Sequence, residues 1–243
     1  MQKIIYYLLH KFSMNDIESN IFKYLSSNEK NIFDIGCFRG NFTKNIIKNE
    51  NKIKSNFFLF DPNPNTEKYL TNLLKKKNIK YFNLAIDNSN TKKTFHLNKF
   101  FESSGSSLQS FAKDDKKWKM TRRIFMQLIQ PHKKVEDFTE IEVETKTLDF
   151  FCSENNIDKI DLLKIDAEGN ELNILLGSEK LLSEKKINII YVEISERKEN
   201  FKDKSNEIKR YLTRFGFRLE KSHRIKSLSF LSNLNATDNL FIR

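Results

Sequence analysis

The sequence predicts an α/β domain, a mostly parallel sheet with helices on both faces, and three observations predict it. Short apolar runs alternate with helical-period segments over the first 86 residues and again from residue 160. A turn with two spaced glycines, DIGCFRG at 34–40, joins the first such run to the first such helix. The 243 residues are 38% hydrophobic and include 22 Phe, enough to bury a core between layers.

In chain order, residues 1–28 carry Ile4, Leu8, Ile17, Ile21, Phe22 and Leu25 at roughly helical spacing. They read as an N-terminal helical extension over about 1–30, ahead of a domain spanning 31–243. NIFDIG (31–36) is a short strand and FTKNIIK (42–48) the helix after it. NFFLFDPNP (56–64) is a second strand, halted by prolines that cannot join a ladder. TEKYLTNLLKKK (66–77) has the pattern of an amphipathic helix, and IKYFNLAI (79–86) that of a third strand. This β-α-β-α-β order implies parallel strands with right-handed crossovers. The rhythm breaks over 87–146, which hold a Ser/Gly turn (SSGSSL, 103–108) and a basic run (KDDKKWKMTRRIFMQLIQPHKK, 113–134). The run reads as an inserted helix or lid at about 100–140. Alternation resumes with IDLLKI (160–165), a helix from about 168 to 182, and INIIYVEI (187–194). NEIKRYLTRFGF (206–217) is a helix stopped by Gly216, and FRLEKS and NLFIR supply two closing strands.

The formal net charge of +11 invites a nucleic-acid partner. The basicity, however, is spread along a chain rich in Lys, Asn, Ile and Phe, as expected of compositional bias and a solvated surface, which argues against nucleic acid. Cys37 and Cys152 offer neither a disulfide framework nor a paired metal motif and fit a cytoplasmic setting. IIYYLL near the start is too short to span a membrane, and no run approaches about eighteen apolar residues. A soluble protein is expected, with peripheral membrane contact left open and no oligomeric state specified.

Three motifs carry chemistry. In Asp34-x-Gly36-x-x-x-Gly40, glycines let the backbone turn tightly and approach a ligand, while the next helix start presents free N–H groups. The spacing is neither the dinucleotide G-x-G-x-x-G nor a P-loop. It is the spacing seen in Rossmann-like domains that bind S-adenosylmethionine; its plainer reading is a two-glycine βα turn. Asp61, before Pro62, closes the second strand, where an acid can accept bonds from both ribose hydroxyls or merely shape a turn. Asp166 falls at the carboxyl end of the strand LLKI, the edge where doubly wound sheets place ligands. Glu168 and Glu171 fall in the first turn of the expected helix, where the macrodipole alone accounts for acids.

These stretches together carry a resemblance. DIGCFRGNFT, FDPNP, NLAIDN, SSGSSL, TLDFF (147–151), DLLKIDAEGNELNILLGSEKLL (161–182) and IIYVEI occur in the order of FkbM-type methyltransferases, over roughly residues 31–195. The long Lys-Ile-Asp-x-Glu-Gly-x-Glu stretch is the most diagnostic. The resemblance implies a Rossmann-like class I fold: a seven-stranded, mostly parallel sheet with one reversed strand near the C-terminus. It further implies S-adenosylmethionine-dependent O-methylation of a sugar, glycan or natural-product hydroxyl. Carried over by position, Asp34, Gly36, Cys37, Phe38 and Gly40 would form the cofactor loop. Asp61 and Pro62 would hold the ribose, Asp87 or Asn88 would lie beside the adenine, and Asp166 would stand between cofactor and acceptor. The family usually has Ala-Asn where this chain has Cys37-Phe38, and Glu where Asp61 stands.

Methyl transfer to oxygen needs an aligned acceptor hydroxyl and a group that removes or shares its proton. Asp166 is the first candidate, Glu168 the second, and His132 in the basic segment the third. His10, His96, His132 and His223 are scattered without metal-ligand spacing, so no metal is expected. The lid cations would steer an anionic acceptor, such as a nucleotide-linked sugar or acidic glycolipid, or simply form an exposed helix. Two rivals remain: a nucleic-acid methyltransferase, and a non-catalytic basic module on a degenerate methyltransferase fold.

Overall fold

A computed structural model describes residues 17, 21, 23–25, 30–49, 55–98, 106–109, 120, 138–197, 200–225 and 234–243. In chain order these form β1 (Lys30–Ile35), α1 (Asn41–Asn49), β2 (Ser55–Phe60), α2 (Glu67–Leu70), β3 (Ile79–Phe82), β4 (Ala85–Ile86) and β5 (Thr91–Asn98). Then follow β6 (Phe138–Lys146), α3 (Leu148–Glu154), β7 (Ile160–Ile165), α4 (Glu171–Leu176), α5 (Glu179–Ser183) and β8 (Ile187–Arg197). The described chain closes with α6 (Phe201–Arg214), β9 (Arg218–Arg224) and β10 (Leu234–Ile242).

Seven strands form one sheet in the order β3-β2-β1-β7-β8-β10-β9. β1, β2, β3, β7 and β8 run parallel, and β10 runs antiparallel to both its neighbours. The expected single reversed strand is therefore β10. Both faces of the central strands are covered, which is why they read as continuous apolar runs. Ile32, Leu162 and Ile189 pack on one face with Ile17, Ile21, Ile46, Leu70 and Leu73. Phe33, Leu163 and Ile190 pack on the other with Phe151, Ile174, Leu182 and Ile208. Phe33 stacks on Phe58 at 4.7 Å, and Phe60 meets the edge of Phe151 at 4.8 Å.

The first of these faces changes character along the strands. Asp34 lies opposite Lys164 in the β1–β7 register, two residues beyond Ile32 and Leu162. Glu193 of β8 lies opposite Asp238 of β10, two residues beyond the Tyr191–Leu240 pair. Side chains two apart share a face, so apolar packing gives way to ionisable groups at the carboxyl ends of the strands.

Several expected elements are shorter or divided. The helix expected over 66–77 is helical only at α2, and Thr71 and Asn72, poor helix formers, follow it in a series of turns. The strand expected over 79–86 divides into β3 and β4. Asn83 Nδ2 donates to Asp61 O (2.9 Å), and the chain leaves the main sheet there. Residues 87–146 contribute two strands, β5 and β6, which with β4 make a second sheet ordered β4-β6-β5. Their alternating burial rests on Phe95 and Val143. α3 begins where Thr147 Oγ1 accepts from Phe150 N (3.1 Å). The expected N-terminal extension and basic lid lie largely outside the described residues; Ile17 and Ile21 are buried and helical, and Met120 is exposed. No described helix is long and apolar enough to cross a membrane.

The helix expected over 168–182 is two helices, α4 and α5, separated by Gly177 and Ser178. A Cβ on Gly177 would stand 2.1 Å from Asp87 O, so this break is where the second sheet's backbone presses against the first layer. Gly177→Ala should therefore lower unfolding free energy by about 1–3 kcal/mol in urea titration, the cost of forced overpacking.

Candidate active site

The turn after β1 is held from three sides. Gly36 N and Cys37 N donate to Phe60 O at 2.9 and 3.1 Å, joining the turn to the end of β2. Asp166 N donates to Ile35 O at 3.1 Å, joining it to the end of β7. Gly36 has φ +72°, and a Cβ there would lie 1.8 Å from Asp166 O. Only glycine supplies that backbone and that clearance together. Gly40 closes the turn against Leu70 and Leu73, its N–H donating to Cys37 O at 2.7 Å.

Asp61 follows β2 and is 7% exposed. Its Oδ2 accepts from Phe38 N and its Oδ1 from Asn63 N, each at 2.9 Å. The acid thus organises the glycine turn from the neighbouring strand, while Pro62 stands half-buried beside it. A carboxylate has about four lone-pair sites, so these two bonds leave capacity for a diol, the chemistry a ribose presents. Burial pushes Asp61 up to about 6, against the bonds from Asn63 and Phe38.

Asp34 is fully buried. Thr43 Oγ1, from α1, donates to its Oδ2 at 2.7 Å, and Lys164 Nζ lies 3.5 Å from its Oδ1. Burial pushes its carboxyl up, against the pull of Lys164. Lys164 also donates to Asp166 Oδ2 at 3.1 Å and to Gly36 O at 3.4 Å. Burial disfavours its charge, yet Asp166 and Asp34 hold the ammonium protonated well above the ordinary lysine range. Glu193 completes the group from β8. Burial, then Asp166, Asp238 and Glu168, pushes its carboxyl well above the usual range. Among the described residues, no group of three His, Cys, Asp or Glu is placed to hold a metal ion.

The loop from Asp166 to α4 corrects the expectation for both glutamates. Glu168 precedes the helix in a left-handed conformation (φ +48°), and its carbonyl accepts from Ser107 Oγ at 2.7 Å. Glu171 does open α4, but as a fully buried group rather than a solvated helix-start charge. Its Oε1 accepts from Gly169 N (2.7 Å) and its Oε2 pairs with Lys204 Nζ of α6 (3.0 Å). Lys204 also donates to Gly169 O at 2.7 Å, so both polar groups of one glycine are fixed by this buried pair.

Asp34, Gly36, Cys37, Phe38, Gly40, Asp61, Pro62 and Asp166 therefore converge on one edge of the main sheet. The side chains of Asp87 and Asn88 are engaged elsewhere. Asp87 is fully buried, accepting from Asn170 Nδ2 (3.3 Å) and paired with Lys93. Asn88 donates to Asn173 Oδ1 (3.2 Å) and accepts from Lys93 Nζ (3.3 Å). Both serve the join between the second sheet and the Asp166–α4 segment. His132 lies outside the described residues.

The Methyltransferase FkbM domain matches residues 34–219, most of the chain and the whole of this edge. The chain belongs to that family. Among proteins similar to this FkbM-domain chain is the 2-O-methyltransferase NoeI of Sinorhizobium fredii, 28% identical over 173 residues, 68% of this chain and 63% of that protein. The match thus spans less than two thirds of that relative's length. Similar solved structures include Methyltransferase FkbM from Methylobacillus flagellatus KT (12% identity, TM-score 0.49), covering 88% of this chain and 44% of that one. Another is TrmK of M. capricolum with S-adenosyl-homocysteine (12% identity, TM-score 0.45), covering 94% of this chain and 68% of that one. Against the FkbM pattern, Cys37 is a buried core residue whose thiol is pushed up by burial, so it serves as a small apolar filler. Phe38 takes a left-handed conformation (φ +40°), one that suits the Asn usual in the family better than an aromatic. Its ring meets Tyr69 edge-on at 5.6 Å, and the Arg39 guanidinium lies 4.6 Å from the Tyr69 centroid.

Two measurements check these roles. Glu171→Ala should cost about 3 kcal/mol in urea unfolding, because Lys204 is left buried without its carboxylate; a helix-start charge would cost about 0.3–1 kcal/mol. Asp61 behaves differently with pH. Its folded value of about 6 exceeds the ordinary 3.8, so the stability it contributes is complete below about pH 3.8 and lost as pH rises through about 6. The stability of wild type relative to Asp61→Ala should therefore fall by up to about 3 kcal/mol between about pH 4 and 7, at about 1.4 kcal/mol per unit.

Proposed function

We propose that the protein is an S-adenosylmethionine-dependent O-methyltransferase acting on a hydroxyl of a sugar, glycan or glycolipid precursor. The observation that carries this reading is the contact between Gly36 and the Asp166 backbone: it brings the glycine turn beside the residue whose carboxylate follows the central strand. S-adenosylmethionine, when bound, supplies an activated methyl group. Asp61 would take the ribose hydroxyls, and Asp34, held by Thr43 and Lys164, keeps the glycine turn in shape. Asp166 would accept the hydrogen bond of the acceptor hydroxyl and orient its oxygen, with Glu168 on the same loop and His132 of the proposed lid as further candidates. Orientation is its larger contribution, because Lys164 Nζ already holds its Oδ2 at 3.1 Å.

A hydroxyl acceptor agrees with the name of the relative NoeI, a 2-O-methyltransferase. It also agrees with the carboxyl edge of the sheet, where the partly exposed Asp166 carboxylate offers an oxygen acceptor suited to a hydroxyl donor. The proposal extends to a helical segment over 1–30 and to a lid over about 100–140 whose cations favour an anionic acceptor. Cytoplasmic placement is proposed on the two buried, unpaired thiols, Cys37 and Cys152.

Calorimetry with S-adenosylmethionine and S-adenosylhomocysteine is the first test, and binding of both is expected. Labelled methyl transfer into fractionated glycan, lipid, protein and RNA pools is the second. Label should enter the glycan or glycolipid fraction; label confined to RNA would overturn the acceptor class. Asp166→Ala should cut kcat by about 10²-fold or more, as loss of a proton-handling group does, with cofactor affinity changed far less.

A further inference from the structure

Lys164 sits where an apolar strand has no evident use for a charge. Every residue of IDLLKI is buried, and Lys164 is itself only 8% exposed within it. Removing an ammonium from water costs several kcal/mol unless oxygen partners replace the lost hydration. Here the partners come from both sides of the site. Asp34 Oδ1 (3.5 Å) and Gly36 O (3.4 Å) belong to β1 and the turn that follows it. Asp166 Oδ2 (3.1 Å) belongs to the loop after β7, on the side assigned to the acceptor.

The other titratable groups facing this ammonium among the described residues are acids, so none repels its charge. Asp61 at the end of β2, Cys37 in the turn and Glu193 on β8 each feel its field, and Asp238 of β10 lies opposite Glu193. For Asp34, Cys37 and Glu193 the cation is the foremost offset to burial, whereas for Asp61 the backbone donors of Asn63 and Phe38 come first and the cation last. A lysine placed only to fill space would not need two carboxylates and a carbonyl drawn from β1, its turn and the loop after β7.

We propose that Lys164 is a positioning residue that couples the two halves of the site, one ammonium tying the Asp34–Gly36 turn to the acceptor-facing carboxylate of Asp166. The inference rests on the methyltransferase reading above. Removing the charge leaves a fully buried Asp34 without its cation, frees the Gly36 carbonyl and releases Asp166 from its fixed orientation. Cofactor affinity and acceptor alignment then fail together, although Lys164 itself need touch neither ligand.

The test uses the whole chain as wild type, Lys164→Met and Lys164→Arg, with S-adenosylhomocysteine as probe so that no turnover is required. Lys164→Met should bind it at least about tenfold more weakly, about 1.4 kcal/mol, and Lys164→Arg should recover most of that loss. Thermal unfolding between about pH 5.5 and 8.5 gives a readout that lost packing alone would not move. In Lys164→Met the carboxyls of Asp34 and Glu193, already raised by burial, lose the cation that lowers them. Their stability is therefore present at low pH and lost as pH rises. The melting temperature of Lys164→Met should fall with pH more steeply than wild type, and that of Lys164→Arg should run parallel to wild type. Probe affinity within twofold of wild type together with parallel melting lines for Lys164→Met would overturn the proposal. If Lys164→Met does not fold, Asp166→Asn poses the same question. It should weaken the probe about threefold through the loosened turn, and an unchanged affinity would overturn the coupling. Wild type failing to bind the probe would instead count against the methyltransferase reading, because the melting comparison needs no ligand.

Discussion

The close approach of Gly36 to the Asp166 carbonyl is the constraint on which the rest of the site depends. A Cβ there would lie 1.8 Å from a backbone oxygen, so two loops from adjacent parallel strands meet with no side chain between them. That contact follows from the strand order, because β1 and β7 are neighbours although some 125 residues of chain separate them. Once the loops touch, whatever follows β1 and whatever follows β7 act on the same small volume. Thr43, Asp61 and Lys164 then fix the side chains around a geometry the backbone has already set.

The two faces of the sheet divide the labour. One is mostly apolar and carries the phenylalanine stack of Phe33, Phe58, Phe60 and Phe151. The other is apolar at the amino ends of the strands and ionisable at their carboxyl ends. Burial raises the energy of every charge in that second region, and the protein offsets it with backbone N–H donors to Asp61 and one ammonium to Asp34 and Asp166. The Glu171–Lys204 pair repeats the device one loop away, anchoring Gly169 to α6.

Much of this was legible in the sequence wherever one residue pattern answers to one physical demand. The parallel strands announce themselves because two-sided burial demands continuous apolar runs, and Gly36 because a tight turn with close approach excludes every other residue. Asp34, Asp61 and Asp166 are readable as acids at strand ends. What periodicity could not show was where continuous-looking segments break. IKYFNLAI reads as one strand until Asn83 bonds back to Asp61, and the helix after Asp166 reads as one until Gly177 meets a chain segment 90 residues away. Lys164 carried a signal that local reading passed over: a lysine inside an otherwise buried strand requires partners, and Asp166 stands two positions on. Glu171 and Asp87 needed tertiary information, since Lys204 and Asn170 are not neighbours in sequence. Local physics assigned Glu171 to the macrodipole, and a buried ion pair took precedence.

The position of β10 carries a consequence for how the molecule assembles. Among the described strands β9 pairs with β10 alone, and β10 slots between β9 and β8. The ribosome therefore releases β8 and β9 before the strand that joins them exists. Until residues 234–242 arrive, the edge of β8 stays open, a template for the wrong chain as well as the right one. Closing that gap brings Asp238 opposite Glu193, so β10 both joins β9 to the sheet and completes the ionisable edge. Maturation of the site is thereby tied to the emergence of β10, and a nascent chain lacking this strand would expose its edge before the site was finished.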